Sequence, residues 1–343
     1  MSSSSVARVS ILLPAYNAEQ TIAEAIDSLR AQTYAGIEII VVDDGSEDRT
    51  SRILEEASGY DPRIRAISIP QSGLIGALNV GLAECRGEYV ARFDADDRAI
   101  STRIEKQVAF LDQNPEIDVV GSKIHCFPDE LVGEGFRVYE TWINSLITSE
   151  DIAREIFIES PLVHPSVTIR RKVLVDIGGY EEHGWPEDYD LWLRLHTAGS
   201  RFAKIPEVLH EWREGDTRLT RVDSRYSVEN FIRAKVYYMM KGPLSDRRDV
   251  IVWGAGQMGR RISKHLIRGG AEIIAFVDID PKKIGSTRRG APIIAPEDLP
   301  AKIAESDHPW ILAAVPSRGA RQLIRQNLDE LGCVEGRDYI CVA

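Results

Sequence analysis

Asp94-Ala95-Asp96-Asp97 is the densest group of chemically useful side chains in the sequence. Three carboxylates this close repel one another and cost stability unless something positive lies among them. A hard divalent cation, Mg or Mn, suits the group, because such ions prefer carboxylate and phosphate oxygens. Taken alone, an acidic triplet of this kind reads as a surface turn. It does not stand alone: Asp43-Asp44-Gly45-Ser46 closes one apolar run, and Pro14-Ala15-Tyr16-Asn17 closes another.

The elements that must position these groups follow from pattern. Residues 9–13 form a short apolar run, a strand expected to end at Pro14. A helix follows with Ile22, Ala25, Ile26 and Leu29 on one face, and Asn17 with Gln20 three positions on resembles a capping box. Residues 38–42, 65–69 and 88–93 read as further strands, with a charged helix around 52–57 and another over 74–85. Strands alternating with helices imply a parallel sheet with right-handed crossovers, whose ligands sit outside the C-terminal strand ends. Residues 14–17, 43–46 and 94–97 all fall at such ends, so one crevice is expected to receive them.

Taken in order, these segments resemble the family 2 glycosyltransferases of the GT-A fold. The resemblance is carried by residues 9–17, 40–46, 73–81 with Asn79, 87–97, His164-Pro165-Ser166, Gly178-Gly179-Tyr180 and Glu187-Asp188-Tyr189-Asp190-Leu191-Trp192. It spans roughly residues 6–213. It implies that Pro14 and Tyr16 line the nucleobase pocket, with the Tyr16 ring against the base, and that Asn17 belongs to the donor-binding residues. Asp44 would accept a base N–H, which favours uracil, and Asn79 would serve the donor side. Asp94 and Asp96 would hold the metal, with Asp94 also near the ribose, and Arg213 would neutralise the diphosphate. Asp97, His164, Gly179 and Glu187 would lie on the sugar or acceptor side; for His164 a structural role weighs equally. Many relatives carry a histidine two residues after the Arg213 position, where this chain has Gly215, and His210 is out of register. The metal's third protein ligand is therefore open, with water as the alternative.

Asp188 can also be argued from spacing. It stands three and four residues before Leu191 and Trp192, on the apolar stripe of a helix that starts near Pro186, while Glu187 and Asp190 point more to the side. A carboxylate on such a stripe needs a partner or a function. A plain helix N-terminal acid is one reading; a base taking the acceptor hydroxyl proton is the other. The resemblance implies single-step displacement with inversion.

Residues 249–253 run into Gly254-Ala255-Gly256-Gln257-Met258-Gly259, a helix follows, and the next strand ends at Asp278. This is the spacing of a dinucleotide fingerprint: glycines for close approach, a helix N-terminus for pyrophosphate and an acid for ribose hydroxyls. The segment resembles small Rossmann-like nucleotide or nucleotide-sugar domains, with NAD or another nucleotide as ligand, or a scaffold or dimerisation role instead. The expected division is a GT-A domain over 1–223, a connecting helix and linker over 224–246, and a Rossmann-like domain over 247–343.

Composition narrows the partners. A formal charge of -11 over 343 residues argues against nucleic acid. No apolar run approaches the roughly 20 residues that span a bilayer, and the N-terminus lacks a basic-then-apolar leader. Cys85, Cys126, Cys333 and Cys341 are scattered and read as reduced thiols. The cytoplasm is the expected address, with peripheral membrane attachment as an option. The partners expected are a nucleotide-diphosphate sugar, UDP-linked by preference, and a glycan or lipid-linked acceptor; a homo-oligomer is compatible. A nucleotidyltransferase is disfavoured because residues 10–20 contain no glycine, lysine or arginine. A nucleotide-sugar sensor with a degenerate transferase domain is the alternative from another class. Residues 124–160 match no interpretable pattern.

Overall fold

In the computed structural model, which describes residues 7–215, 218, 221 and 223–343, the first apolar run pairs on both flanks. β1 (Val9–Ala15) runs parallel to β2 (Ile37–Asp43) and to β4 (Tyr89–Arg92), and β2 runs parallel to β3 (Ile64–Ser68). Every β1 residue is buried, as a strand covered on both faces requires. Pro14 continues the strand rather than ending it. Its register partner is Val42, whereas pairing with β4 has already stopped at Leu12 and Arg92. The backbone of Ala15 faces β2, accepting from Asp44 N, so alternation turns Pro14 to the finished β4 side, where no ladder donor is needed.

The helix Ile22–Arg30 buries Ile22, Ala25, Ile26 and Leu29, the stripe read from spacing; each Ile or Leu there contributes about 1.5–3 kcal/mol. The expected capping box does not form. Asn17 lies four residues ahead of Thr21, the cap position, and adopts φ 47°. Asn tolerates this left-handed conformation because its side chain bonds locally: Asn17 Oδ1 accepts from Glu47 N at 2.8 Å, and Asn17 N donates to Ser46 Oγ at 2.9 Å. Asn17 thus clasps the loop after β2. Gly81 lets the helix Gly73–Glu84 lie close on the sheet, since a Cβ there would stand 2.2 Å from Leu12 Cδ1.

Beyond β4 the sheet is mixed. β7 (Thr168–Arg170) pairs antiparallel with β4 and with β6 (Val119–Phe127); β6 runs parallel to β8 (Phe202–Arg213), and β5 (Arg98–Ala99) pairs antiparallel with β8. The order is β3-β2-β1-β4-β7-β6-β8-β5. Because β5 follows the acidic motif directly, its pairing brings the last residues of β8 against that motif.

A second sheet forms from β9 (Asp249–Trp253), β10 (Glu272–Val277), β11 (Thr287–Arg288), β12 (Ala291–Ile294), β13 (Trp310–Ala313) and β14 (Tyr339–Cys341), in the order β11-β12-β10-β9-β13-β14. All its pairings are parallel except β11 with β12.

Packing groups Met1–Ile152, Pro161–His183 and Ala198–Val222 in one compact unit, and Ala153–Ser160, Gly184–Thr197 and Asp223–Ala343 in another. The second unit takes in residues 224–246, expected as a connecting helix and linker, and two earlier segments pack with the C-terminal residues as well. Tyr189 Oη donates to Ile156 O at 2.6 Å, Lys235 Nζ bonds Ile158 O, and Glu155 receives Arg321 at 3.0 Å and Arg325 at 2.7 Å. No helix among the described residues is long and apolar enough to cross a membrane.

Candidate active site

The turn after β4 gathers Asp94, Asp96 and Asp97, each offering an oxygen within 4.8 Å of the others. Asp94 is partly exposed and takes Arg92 Nη2 at 2.6 Å. Asp97 is buried: Oδ1 accepts from Arg213 N at 2.7 Å, and Oδ2 lies 2.9 Å from His210 Nε2. Burial, then repulsion from neighbouring aspartates, pushes the Asp96 carboxyl well above its ordinary range; Asp97 is raised by burial and by Asp94. The nearby Arg218 charge acts in the opposite direction on both and does not prevail. An oxygen-only, anionic set driven toward proton uptake fits a hard divalent cation, which would restore the ionised forms.

Other predicted donor residues sit at the neighbouring strand ends, several with their polar atoms already engaged. Tyr16 follows β1 and is 46% exposed, while Pro14 is buried within β1. Asp44 is buried and serves the start of the helix Gly73–Glu84: Oδ1 accepts Ser72 N and Oγ, and Oδ2 accepts Gly73 N at 2.8 Å. Of roughly four acceptor sites on a carboxylate, one is left. Asn79 spends both ends of its amide on Tyr180, donating to its carbonyl at 2.8 Å and accepting from its N–H at 3.0 Å. A Cβ on Gly179 would come within 2.8 Å of Asn79 Oδ1. Asn79 therefore pins the Gly178–Tyr180 turn, with one amide N–H and one Oδ1 lone pair so used. His164 is buried with Nε2 3.0 Å from Tyr180 Oη, and burial, then the Arg92 charge, lowers its pKa well below the ordinary value. It is neutral at pH 7. The Arg213 guanidinium bonds Asp96 O at 2.5 Å and Glu24, over the Phe127 ring, so it braces the motif's backbone.

Asp188 begins the helix Glu187–Thr197 of the other unit. The expectation that Asp190 points to the side is corrected. Asp190 is wholly buried, with Trp185 Nε1 and Tyr238 Oη on Oδ1 and Arg194 Nε on Oδ2, each at 2.7 Å. Glu187 is also buried, under Tyr226 Oη at 2.8 and 3.0 Å. Asp188 is partly exposed, its Oδ1 2.7 Å from Tyr189 N. Burial of the carboxyl, then the Glu187 charge, raises its pKa, the setting of a base poised near neutrality.

In the second sheet the glycine turn forms as read, β9 leading through Gly254 and Gly256 to the helix Gln257–Arg268. A Cβ on Gly259 would fall 1.8 Å from Gly254 O, so that glycine serves helix-to-turn contact. Asp278 closes its own loop: Oδ2 takes Ala255 N and Lys283 Nζ, and Oδ1 takes Asp280 N, all at 3.0 Å. As on Asp44, three of roughly four acceptor sites are taken, leaving one for a ribose.

Arg92, Arg103, Tyr226 and Tyr238 were not singled out by motif. Arg92 carries a signal, being a cation inside the apolar run Tyr89-Val90-Ala91-Arg92-Phe93; the tyrosines carry none, since their partners are distant in sequence.

A largely parallel sheet whose strand ends present an exposed aromatic and clustered acids offers a ligand crevice at those ends. The glycosyl transferase family 2 model matches residues 10–178. The chain is 34% identical over 245 residues to a protein of Bacillus subtilis described as "Putative glycosyltransferase EpsE", covering 70% of this chain and 85% of that one. It is 36% identical over 217 residues to an uncharacterized glycosyltransferase of Haemophilus influenzae, covering 60% of this chain and 65% of the relative's length. It is 28% identical to the amylovoran biosynthesis glycosyltransferase AmsE of Erwinia amylovora, covering 68% and 91%. The chain belongs to glycosyl transferase family 2 and is a glycosyltransferase. Among solved structures, S. aureus TarS 1-349 with UDP-GlcNAc superposes with a TM-score of 0.57 at 19% identity, covering 76% of this chain and 72% of that one. Mannosyltransferase PcManGT of Pyrobaculum calidifontis, in complex with GDP-Man and Mn2+, gives 0.51 at 18% identity, covering 95% and 81%. Both likenesses concern the GT-A fold. A second model, C2185-like, N-terminal, matches residues 246–337.

Proposed function

We propose that this chain moves a glycosyl group from a nucleotide-diphosphate sugar, UDP-linked by preference, onto a hydroxyl of a growing glycan, inverting the anomeric centre. The observation that carries the reading is the set of three carboxylates at the end of β4, oxygens within 4.8 Å, two of them driven toward protonation. The Tyr16 ring stacks on the base, and the acceptor site left on Asp44 takes a base N–H, which selects uracil over bases lacking one. Asp94 and Asp96 would hold a divalent cation, with Asp97 completing the set. When bound, that cation relieves the charge building on the departing diphosphate. Asp188 takes the proton from the acceptor hydroxyl as its oxygen attacks, and Glu187 beside it keeps that carboxyl basic. Relatives named for polysaccharide assembly, such as AmsE, support a glycan acceptor. For the glycine turn of the second sheet we propose nucleotide binding through its backbone N–H groups, with the one acceptor site left on Asp278 turned to a ribose hydroxyl.

The test is release of nucleoside diphosphate from a panel of UDP- and GDP-sugars with Mn2+. Asp96→Asn is expected to lower turnover by at least roughly 100-fold and Asp188→Asn by about 1,000-fold, with folding intact. Unchanged turnover in Asp188→Asn would remove the base assignment; no turnover of any nucleotide sugar by the parent would favour a sensor.

A further inference from the structure

A buried chain of donors reaches Asp97 from the helix Arg103–Gln113. Arg103 Nη1 lies 3.2 Å from His210 Nδ1, and His210 Nε2 lies 2.9 Å from Asp97 Oδ2. A guanidinium has donors only, so Nδ1 must accept. The ring proton then sits on Nε2, which donates to the carboxylate. Arg103 is itself fixed, with Nε on Gln107 Oε1 at 3.2 Å and Nη2 on the carbonyls of Arg92 at 2.9 Å and Val167 at 3.2 Å. Gln107 is held in turn by Thr168 Oγ1 at 2.7 Å and by its own bond to Ser166 O at 2.8 Å. Arg213 N supplies Asp97's other oxygen. Arg103, His210 and Asp97 are each 1% exposed or less. A polar network this deep is costly unless every member is satisfied, and once satisfied it fixes one geometry.

We propose that His210 and Arg103 are positioning residues for the acidic motif: Arg103 sets the histidine tautomer, and the histidine N–H sets the rotation of the Asp97 carboxylate that completes the cation-holding set with Asp94 and Asp96. This rests on the reading that the motif holds a divalent cation. His210 thereby takes up the task left open by Gly215, acting on the cation through a carboxylate rather than as its ligand. A side chain that only filled space at position 210 would leave cation affinity untouched. Loss of an outer partner of a ligand typically costs 10–100-fold in affinity.

The experiment titrates Mn2+ into the full chain with UDP present, following bound metal by calorimetry and free Mn2+ by electron paramagnetic resonance, beside UDP binding without metal and a melting curve. His210→Phe keeps a ring and removes the donor; about 10-fold weaker Mn2+ binding is expected, with metal-free UDP binding unchanged. His210→Gln, which keeps an amide N–H, is expected within about threefold of the parent. A folded His210→Phe protein that binds Mn2+ like the parent overturns the proposal. Should that variant not fold, Arg103→Lys decides: one ammonium cannot serve His210, Gln107 and two carbonyls together, so weakened Mn2+ binding supports the proposal and parent-like binding overturns it. Asp96→Asn is the control. Parent-like binding in both Asp96→Asn and His210→Phe counts against the cation reading; lost binding in Asp96→Asn alone counts against the positioning role.

Discussion

Asp188 and Asp190 lie two positions apart and have opposite circumstances. Asp190 holds three donors and has no solvent contact, so it anchors a fold. Asp188 has a raised pKa from burial and the Glu187 charge, so it is the one with a proton to exchange. A base must be ionised to work, and a raised pKa means ionisation is lost while the pH is still above the usual carboxylate range. The acid limb of kcat/KM is therefore expected well above about pH 4, the ordinary aspartate value, and to vanish with Asp188→Asn. A profile flat down to pH 5 would contradict this. The sequence placed Asp188 on an apolar stripe and Asp190 at its side, and the second half was wrong for a physical reason. Glu187 and every residue from Tyr189 to Leu195 are buried, and a helix enclosed all round has no solvent face for periodicity to detect.

The strands that end at the site were legible because β1, β2 and β4 are short apolar runs closed by polar residues, and a parallel sheet constrains where those closures meet. Asn17 was misread as part of a helix start because a cap and a loop clasp use the same residue types. Donors such as Arg103 and Tyr238 were invisible, since their acceptors lie 107 and 48 positions away. The helix Val228–Lys241 shows what such a bond is worth. Its Tyr238 hydroxyl donates to a buried carboxylate, and removing it by Tyr238→Phe is expected to cost about 2 kcal/mol, read as a lower midpoint in urea with donor affinity unchanged. An unaltered midpoint would mean that another donor replaces the hydroxyl.

The family match ends at residue 178, before Asp188, and the helix bearing that residue packs with Asp223–Ala343. A chain stopped after residue 222 would keep every recognised motif of the transferase and lose Tyr226 and Tyr238, the donors to Glu187 and Asp190. It is expected to retain no more than about one hundredth of the parent turnover, taking Asp188 as a base worth 100-fold or more; full turnover would show that the helix orders itself without them.

Lys235 bonds both Ile158 O and Val342 O, and Glu155 is gripped by two arginines of the helix Ala320–Glu330. Recombination among relatives thus has a hidden constraint. A swap that exchanged only residues 247–343 would keep main-chain carbonyls for Lys235 but strand the buried Glu155 carboxylate on the host side, so inherited variation at positions 155, 321 and 325 should travel as one block.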